Sequence, residues 1–173
     1  MTIVSRLLNV GDEEMIALQA KATAFLAKEN QLLDAFRYDD WVNLWAMDGI
    51  YWLPVERGDD PREMLSHIYE DIHRIKDRVK TSQKEIAYPQ EPRSETSRHT
   101  SNIIITDLGE DSVTVYSSFC VVEYRKRKQS IYAGHFEHVL TTGDGRLEEM
   151  RIRKKTVYLM GSNYPVGNIS FIL

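Results

Sequence analysis

The chemistry open to this chain rests on five histidines and the carboxylates near them. The densest group is His135-Phe136-Glu137-His138. In a strand, residues three apart point to opposite faces, so these two rings would not share a metal. The pattern instead predicts His135 in a ladder of charges and His138 on a core face with a hydrogen-bonded ring. His67, Glu70, Asp71 and His73 fall in a segment of helical periodicity. The two histidines lie six residues apart, roughly 240° around a helix, so this group reads as a solvated polar face. There is no H-E-x-x-H pair, no G-x-G-x-x-G and no P-loop. Arg125-Lys126-Arg127-Lys128 sits where a hairpin tip is expected, with charges alternating between faces. It reads as a solvated tip or a partner contact rather than a nucleic-acid site. Cys120 lies mid-strand and is expected on the core face as an inert thiol. One catalytic arrangement stays open: if the fold encloses a cavity, Asp40, Tyr51, His99 and His138 would supply acid–base groups inside it.

Composition narrows the function classes. The 173 residues carry 22 Lys and Arg against 26 Asp and Glu, a formal net charge of −4. That balance is poor for a dedicated nucleic-acid binder. A hydrophobic fraction of 42% is ordinary for a globular chain. The length suits one domain, 1–173, with residues 1–12 as an N-terminal arm and 161–173 as a C-terminal tail. With a single cysteine, the chain lacks the ligands for an intramolecular disulfide, a four-cysteine zinc site, a four-cysteine iron–sulfur cluster or a Rieske cluster with its two cysteines and two histidines. A cytoplasmic setting follows from that cysteine usage. The first residues lack the apolar core of a signal peptide. The late uncharged run 156–173 contains glycines, a proline and asparagines, so no membrane span is expected.

These groups must be positioned by the elements around them. Met15, Leu18, Ala22, Phe25, Leu26, Leu32 and Leu33 predict a helix over 13–36, with Asp12 as its N-cap. A second helix is expected over 39–47, broken by Asp48-Gly49, then a strand over 50–53 stopped by Pro54. Asp60-Pro61 predicts the start of a third helix running to Ser82. Residues 86–97 read as an irregular loop. Four long strands follow, over 98–106, 113–128, 130–142 and 146–160, with Gly143-Asp144-Gly145 as a hairpin signal. Helices first and strands later predict an α+β fold, helices packed on one face of a curved sheet.

A register can be estimated from the turns. A last hairpin centred on Asp144 sets His135 against Arg153 and Glu137 against Arg151. A preceding one centred on Gln129 sets Glu123 against His135 and Arg125 against Ala133. One face then carries Glu123, Arg125, His135, Glu137, Arg151, Arg153 and Lys155, together with Val113, Val115, Phe119 and Val121. The other carries Cys120, Val122, Tyr124, Phe136, His138, Leu140, Met150 and Ile152 as the core face. Apolar and paired charged residues on one side suggest that Glu123, Arg125, His135, Glu137, Arg151 and Arg153 form a subunit interface.

Three stretches carry a resemblance. The first is Leu32-Leu33-Asp34, Tyr38-Asp39-Asp40-Trp41-Val42-Asn43-Leu44 and Asp48-Gly49-Ile50-Tyr51-Trp52-Leu53-Pro54. The second is Arg78-Val79, Pro92-Arg93-Ser94, Arg98-His99 and Ser101-Asn102-Ile103. The third is Tyr132-Ala133-Gly134 with Arg151-Ile152-Arg153-Lys154-Lys155. In order and spacing the chain resembles the small, or beta, subunit of aromatic-ring-hydroxylating dioxygenases. The resemblance implies a nuclear transport factor 2-like cone, a curved mixed sheet wrapped around three helices. It implies homotrimeric contacts between beta subunits and a large alpha subunit as partner in an alpha3beta3 complex. It implies that the Rieske [2Fe-2S] cluster and mononuclear Fe(II) belong to that large subunit, with no catalytic residue, cofactor or metal in this chain and a mainly structural role. No nucleic-acid or membrane partner is implied. Two other readings of the same fold remain: a free-standing dehydratase or isomerase using Asp40, Tyr51, His99 and His138, and a small-molecule-binding or assembly module.

Overall fold

Ala22, Phe25, Leu26, Leu32 and Leu33 fall on one side of a 3.6-residue repeat, and the helix they define, α1 (Asp12–Asp34), buries that side. The computed structural model describes residues 11–87, 93–143, 149–164, 169 and 171–173. The N-cap is Gly11 rather than Asp12, which is the first helical residue and adds to the acidic first turn. After α2 (Tyr38–Val42) come strand β1 (Trp45–Pro54), strand β2 (Ser66–Asp71), helix α3 (Ile72–Ala87), and strands β3 (Glu95–Leu108), β4 (Ser112–Arg125), β5 (Lys128–Thr141) and β6 (Arg151–Leu159). The strands form one mixed sheet in the order β2-β1-β6-β5-β4-β3. Among the described strands only the β1–β6 pair is parallel. The helices cover one face, so the architecture is the expected α+β cone.

Two boundaries depart from the sequence reading. The second helix stops at Val42, and β1 already begins at Trp45. Gly49 does not break the chain but lies in a register shift of β1 against β6. A Cβ there would stand 2.8 Å from the Trp45 ring, so the indole occupies the space that glycine leaves. Nor does Asp60 open a helix. Its carboxylate accepts the Arg62 N–H at 2.9 Å and its carbonyl closes a single turn at Glu63 and Met64. Residues 66–71 then alternate between half-buried and exposed, the signature of an edge strand. Helix α3 starts at Ile72, where Asp71 Oδ1 accepts the N–H groups of His73 and Arg74, both at 3.0 Å.

The larger correction concerns register. The β4–β5 connection is a two-residue turn, Lys126-Arg127, with φ of 51° and 62°. Positive φ at both central residues is what a tight hairpin requires. Arg125 therefore faces Lys128, and Glu123 faces Ser130, not His135. Compared with a turn centred on Gln129, the pairing moves by an odd number of residues, which inverts the face of β4. Val113, Val115, Phe119, Val121 and Glu123 point to the helices, while Cys120, Val122 and Tyr124 point outward. The faces of β5 hold as expected, with Phe136, His138 and Leu140 buried. Along β6, His135 faces Tyr158 and Glu137 faces Thr156, in place of Arg153 and Arg151. Lys155 turns inward. Asp144 and Gly145, the expected tip, lie outside the described residues, as do residues 1–10 of the expected arm and 88–92 of the expected loop.

Gly134 in β5 marks where the β5–β6 seam is tightest. A Cβ there would meet the Tyr158 carbonyl oxygen at 2.1 Å and the Phe119 ring at 3.0 Å. The obstructing atom is backbone and cannot swing aside. Gly134→Ala is expected to destabilise the fold by about 1–3 kcal/mol, read as a fall in thermal midpoint. An unchanged midpoint would show that the seam yields freely.

Candidate functional site

The buried polar groups converge beneath the middle of α1. Pairing across the sheet places Tyr51, Lys155, His138 and Val115 in one row over four adjacent strands. Glu29 comes down onto that row from α1. Its Oε1 accepts Lys155 Nζ at 2.9 Å and Trp41 Nε1–H at 3.0 Å. Its Oε2 lies 3.1 Å from His138 Nε2. Glu29, His138 and Lys155 are each almost completely excluded from solvent. The Lys155 ammonium also stands 4.4 Å above the Phe136 ring, a cation–π contact.

Burial alone would push the Glu29 carboxyl up, but the Lys155 and His138 charges and hydrogen bonds outweigh it and hold the group well below the usual carboxylate range. Burial pulls both His138 and Lys155 below their ordinary values against the opposing pull of Glu29. The arrangement is an ionised Glu29–Lys155 pair beside a neutral His138 that donates Nε2–H to the carboxylate. His138 Nδ1 and Ser117 Oγ, both buried, have no hydrogen-bond partner among the described residues.

These groups have the chemistry of an acid–base site, but among the described residues they are shut off from solvent. Phe171, Ile172 and Leu173, expected in a tail, are buried in the core. Tyr51 Oη donates to the main-chain oxygen of Leu173 at 3.1 Å, and Arg98 donates to the carbonyl of Ile172. Arg98 is fixed in turn by Asp34, which also accepts the Arg98 N–H at 2.9 Å. Burial raises Tyr51 above the usual phenol range. The four candidate acid–base residues do not form one site. Tyr51 and His138 are interior, while His99 is exposed on β3 beside Ser97 and Asp40 pairs with Arg37 near the surface. Asp40 and Arg151 line one cleft of about 650 Å³, together with Lys28, Arg37 and Asn43.

The six expected interface residues also separate. Glu123 points inward, accepting Ser94 Oγ at 2.5 Å and Tyr132 Oη at 3.2 Å. Arg125 stands at the hairpin end. Arg151 opposes Thr141. Arg153 chelates Asp111 through two nitrogens at 2.9 and 2.8 Å. Only His135 and Glu137 remain central on the outer face. There His135 stacks on Tyr116 at 5.2 Å, where a charged neighbour was expected, and Arg57 lies over the Tyr116 and Tyr158 rings. His67 and His73 fall on β2 and α3 respectively. Among the described residues no group of three or more His, Cys, Asp or Glu is arranged to hold a metal ion. One cysteine also falls short of the two that a Rieske cluster takes, so the residues here do not fit either iron centre.

Sequence reasoning missed Glu29 and Lys155. Glu29 was legible: it continues the inward stripe 22, 25, 26, 29, 32, 33. Lys155 shares its alternation with Val157 and Leu159, but only once the register is known.

Removing one member of this buried pair leaves a charge without its partner. Glu29→Leu or Lys155→Met alone is expected to cost about 3–5 kcal/mol, and the double variant much less than the sum. Urea midpoints of the four proteins test this. Stability should also fall on acidification. His138 is held below its free value of 6.5, so the unfolded chain binds its proton first and stability declines as pH drops below that value. Glu29, held below its free value of 4.5, continues the loss at lower pH. A urea midpoint that stays flat from pH 8 to pH 4 would contradict this.

Comparison with known proteins identifies the family. A family model described as "Ring hydroxylating beta subunit" matches residues 28–164. The small oxygenase component of the p-cumate 2,3-dioxygenase system of Pseudomonas putida is 30% identical over 152 residues, covering 86% of this chain and 83% of that protein. The crystal structure of the beta subunit of the benzoate 1,2-dioxygenase from Burkholderia mallei superposes with a TM-score of 0.73 at 27% identity, over 88% of this chain and 96% of that one. A chain of naphthalene 1,2-dioxygenase, with indole bound in its active site, shares the fold at a TM-score of 0.76 and 17% identity, over 98% and 93% of the two chains. The chain belongs to the ring-hydroxylating beta subunits, the small subunits of aromatic-ring dioxygenases.

Proposed function

We propose that this chain acts in assembly: three copies associate through the outer face of the sheet, and the resulting trimer carries three large subunits that hold the Rieske cluster and the mononuclear iron. The observation that carries the reading is the closure of the interior. The groups with acid–base chemistry are buried and engaged with one another, so this chain contributes surface rather than a reaction centre. The outer face supplies suitable surface. Ile104, Tyr124 and Ile131 are each about half or more exposed there, at 53%, 49% and 64%. Exposed apolar groups of this kind mark contact sites. Glu137 shares a row of the sheet with Ile104 through Tyr116, and His135 lies between that row and Ile131 along β5, where they would set orientation more than affinity. The reaction served is dihydroxylation of an aromatic compound, with the substrate held by the large subunit. Among the described residues no helix is long and apolar enough to cross a membrane. Together with the single cysteine, that supports a cytoplasmic complex.

Ile104→Asp with Ile131→Asp puts charge on this face without touching the core. The variant is expected to keep the circular dichroism of the parent, to fall in oligomer mass by light scattering, and to lose at least tenfold in turnover when the large subunit is added. A wild-type chain that runs as a monomer and never binds a Rieske-containing partner would overturn the assembly reading.

A further inference from the structure

The β4–β5 hairpin ends in four successive cations, Arg125-Lys126-Arg127-Lys128, in a chain whose formal net charge is −4. The two central positions, Lys126 and Arg127, hold φ of 51° and 62°. A two-residue turn of this kind favours Asn-Gly, because a Cβ crowds the backbone in the left-handed region. Long cationic side chains there cost stability and gain none from burial, since Lys126, Arg127 and Lys128 are exposed. Of the carboxylates at the neighbouring strand positions, Glu123 turns inward to Ser94 and Tyr132, and exposed Glu95 lies opposite Tyr124. Strain kept at an exposed, charged tip is the mark of a contact made there.

The other end of the sheet carries the opposite sign. With 14 residues, β4 takes the chain roughly 40 Å from one end to the other. At its start the β3–β4 turn exposes Glu110 and Asp111. Helix α1 brings the exposed Asp12, Glu13 and Glu14 to that same end. It runs antiparallel to β3, since Asp34 bonds Thr96, Asn30 bonds Thr100 and Gln19 bonds the Ile103 carbonyl. Arg153 offsets part of this charge by chelating Asp111. The exposed apolar side chains divide in the same way. Ile104 lies on β3 toward the acidic end, while Tyr124 and Ile131 flank the basic tip.

A threefold ring is built from heterologous contacts, in which one patch of each copy meets a different patch of the next. We propose that the basic hairpin tip of one copy docks on the acidic end of a second copy, with Tyr124 and Ile131 of the first packing beside Ile104 of the second. A tip-to-tip contact sets like charges together, so the hairpin opposes a twofold dimer and favours head-to-tail association. The charges set direction and encounter rate, and the apolar groups supply the burial. The inference rests on the assembly reading and adds to it which surface meets which.

The test reads oligomer mass by light scattering on the full chain at about 50 mM salt, where exposed charges are weakly screened. The large subunit is added if the chain alone runs as a monomer, and circular dichroism checks that each variant stays folded. Lys126→Asn with Arg127→Gly removes two charges and gives the turn the residues it favours. It should weaken assembly by about tenfold or more. A tip that served only the turn would leave assembly unchanged or strengthened. Arg127→Glu with Lys128→Glu reverses the tip, and Glu13→Lys with Glu110→Lys reverses the acidic end. Each pair alone should weaken assembly by about tenfold or more, and the chain carrying all four substitutions should return to within about threefold of the parent. The inference fails if the parent assembles and the reversed tip assembles equally well, or if the folded four-residue variant recovers nothing. If the reversed chains do not fold, an Asn-Gly variant that assembles like the parent overturns it. A parent chain that stays monomeric with and without the large subunit overturns the assembly reading itself, and this inference with it.

Discussion

The fold depends on keeping one carboxylate charged where no water reaches it. Glu29 needs a cation and hydrogen-bond donors at short range, and they come from three other elements: Lys155 from β6, His138 from β5 and Trp41 from α2. An ionised group in an apolar interior is tolerated only when its partners are placed accurately. Satisfying Glu29 therefore fixes the rotation of α1, the height of α2 and the register of the β5–β6 pair together. A hydrophobic residue at position 29 would accept many registers, whereas a charged one accepts few.

The same logic extends along α1 to the edge of the sheet. Gln19 bonds the Ile103 carbonyl, Asn30 bonds Thr100 and Asp34 receives Thr96 and Arg98. Three polar side chains on one helix thus pin the length of β3, which would otherwise present a long open edge to solvent and to other strands. Arg98 links this seam to the buried segment at residues 171–173. Among the described residues, the Glu29 cluster and residues 171–173 are buried together in the core.

A fold that can enclose a reaction chamber is here filled by its own chain, and that is the physical basis of a subunit that supports chemistry done elsewhere. Fold alone does not decide function. The same cone with an open mouth and the same Glu, His and Lys would carry an acid–base site. What separates the two outcomes is access, which is decided by a few residues of chain that carry no chemistry.

Much of this was legible in the sequence. The helical stripe of α1, the four long strands, the inward faces of β5 and the shortage of cysteine ligands all follow from local periodicity and composition, which need no knowledge of distant residues. Helix α3 was legible as a helix but not in its start. Asp60-Pro61 and Asp71 are both credible caps, and only the pairing of Ser66–Asp71 with β1 chooses between them. The face of β4 depended on tertiary structure for a sharper reason. Side chains alternate with a period of two, so a single turn residue decides which half of a strand is buried, and positive φ at Lys126 and Arg127 is not announced by those residue types. Whether Lys155 is a surface cation or half of a buried ion pair, and whether residues 171–173 trail into solvent or close the cone, were likewise settled by contacts between residues more than seventy positions apart.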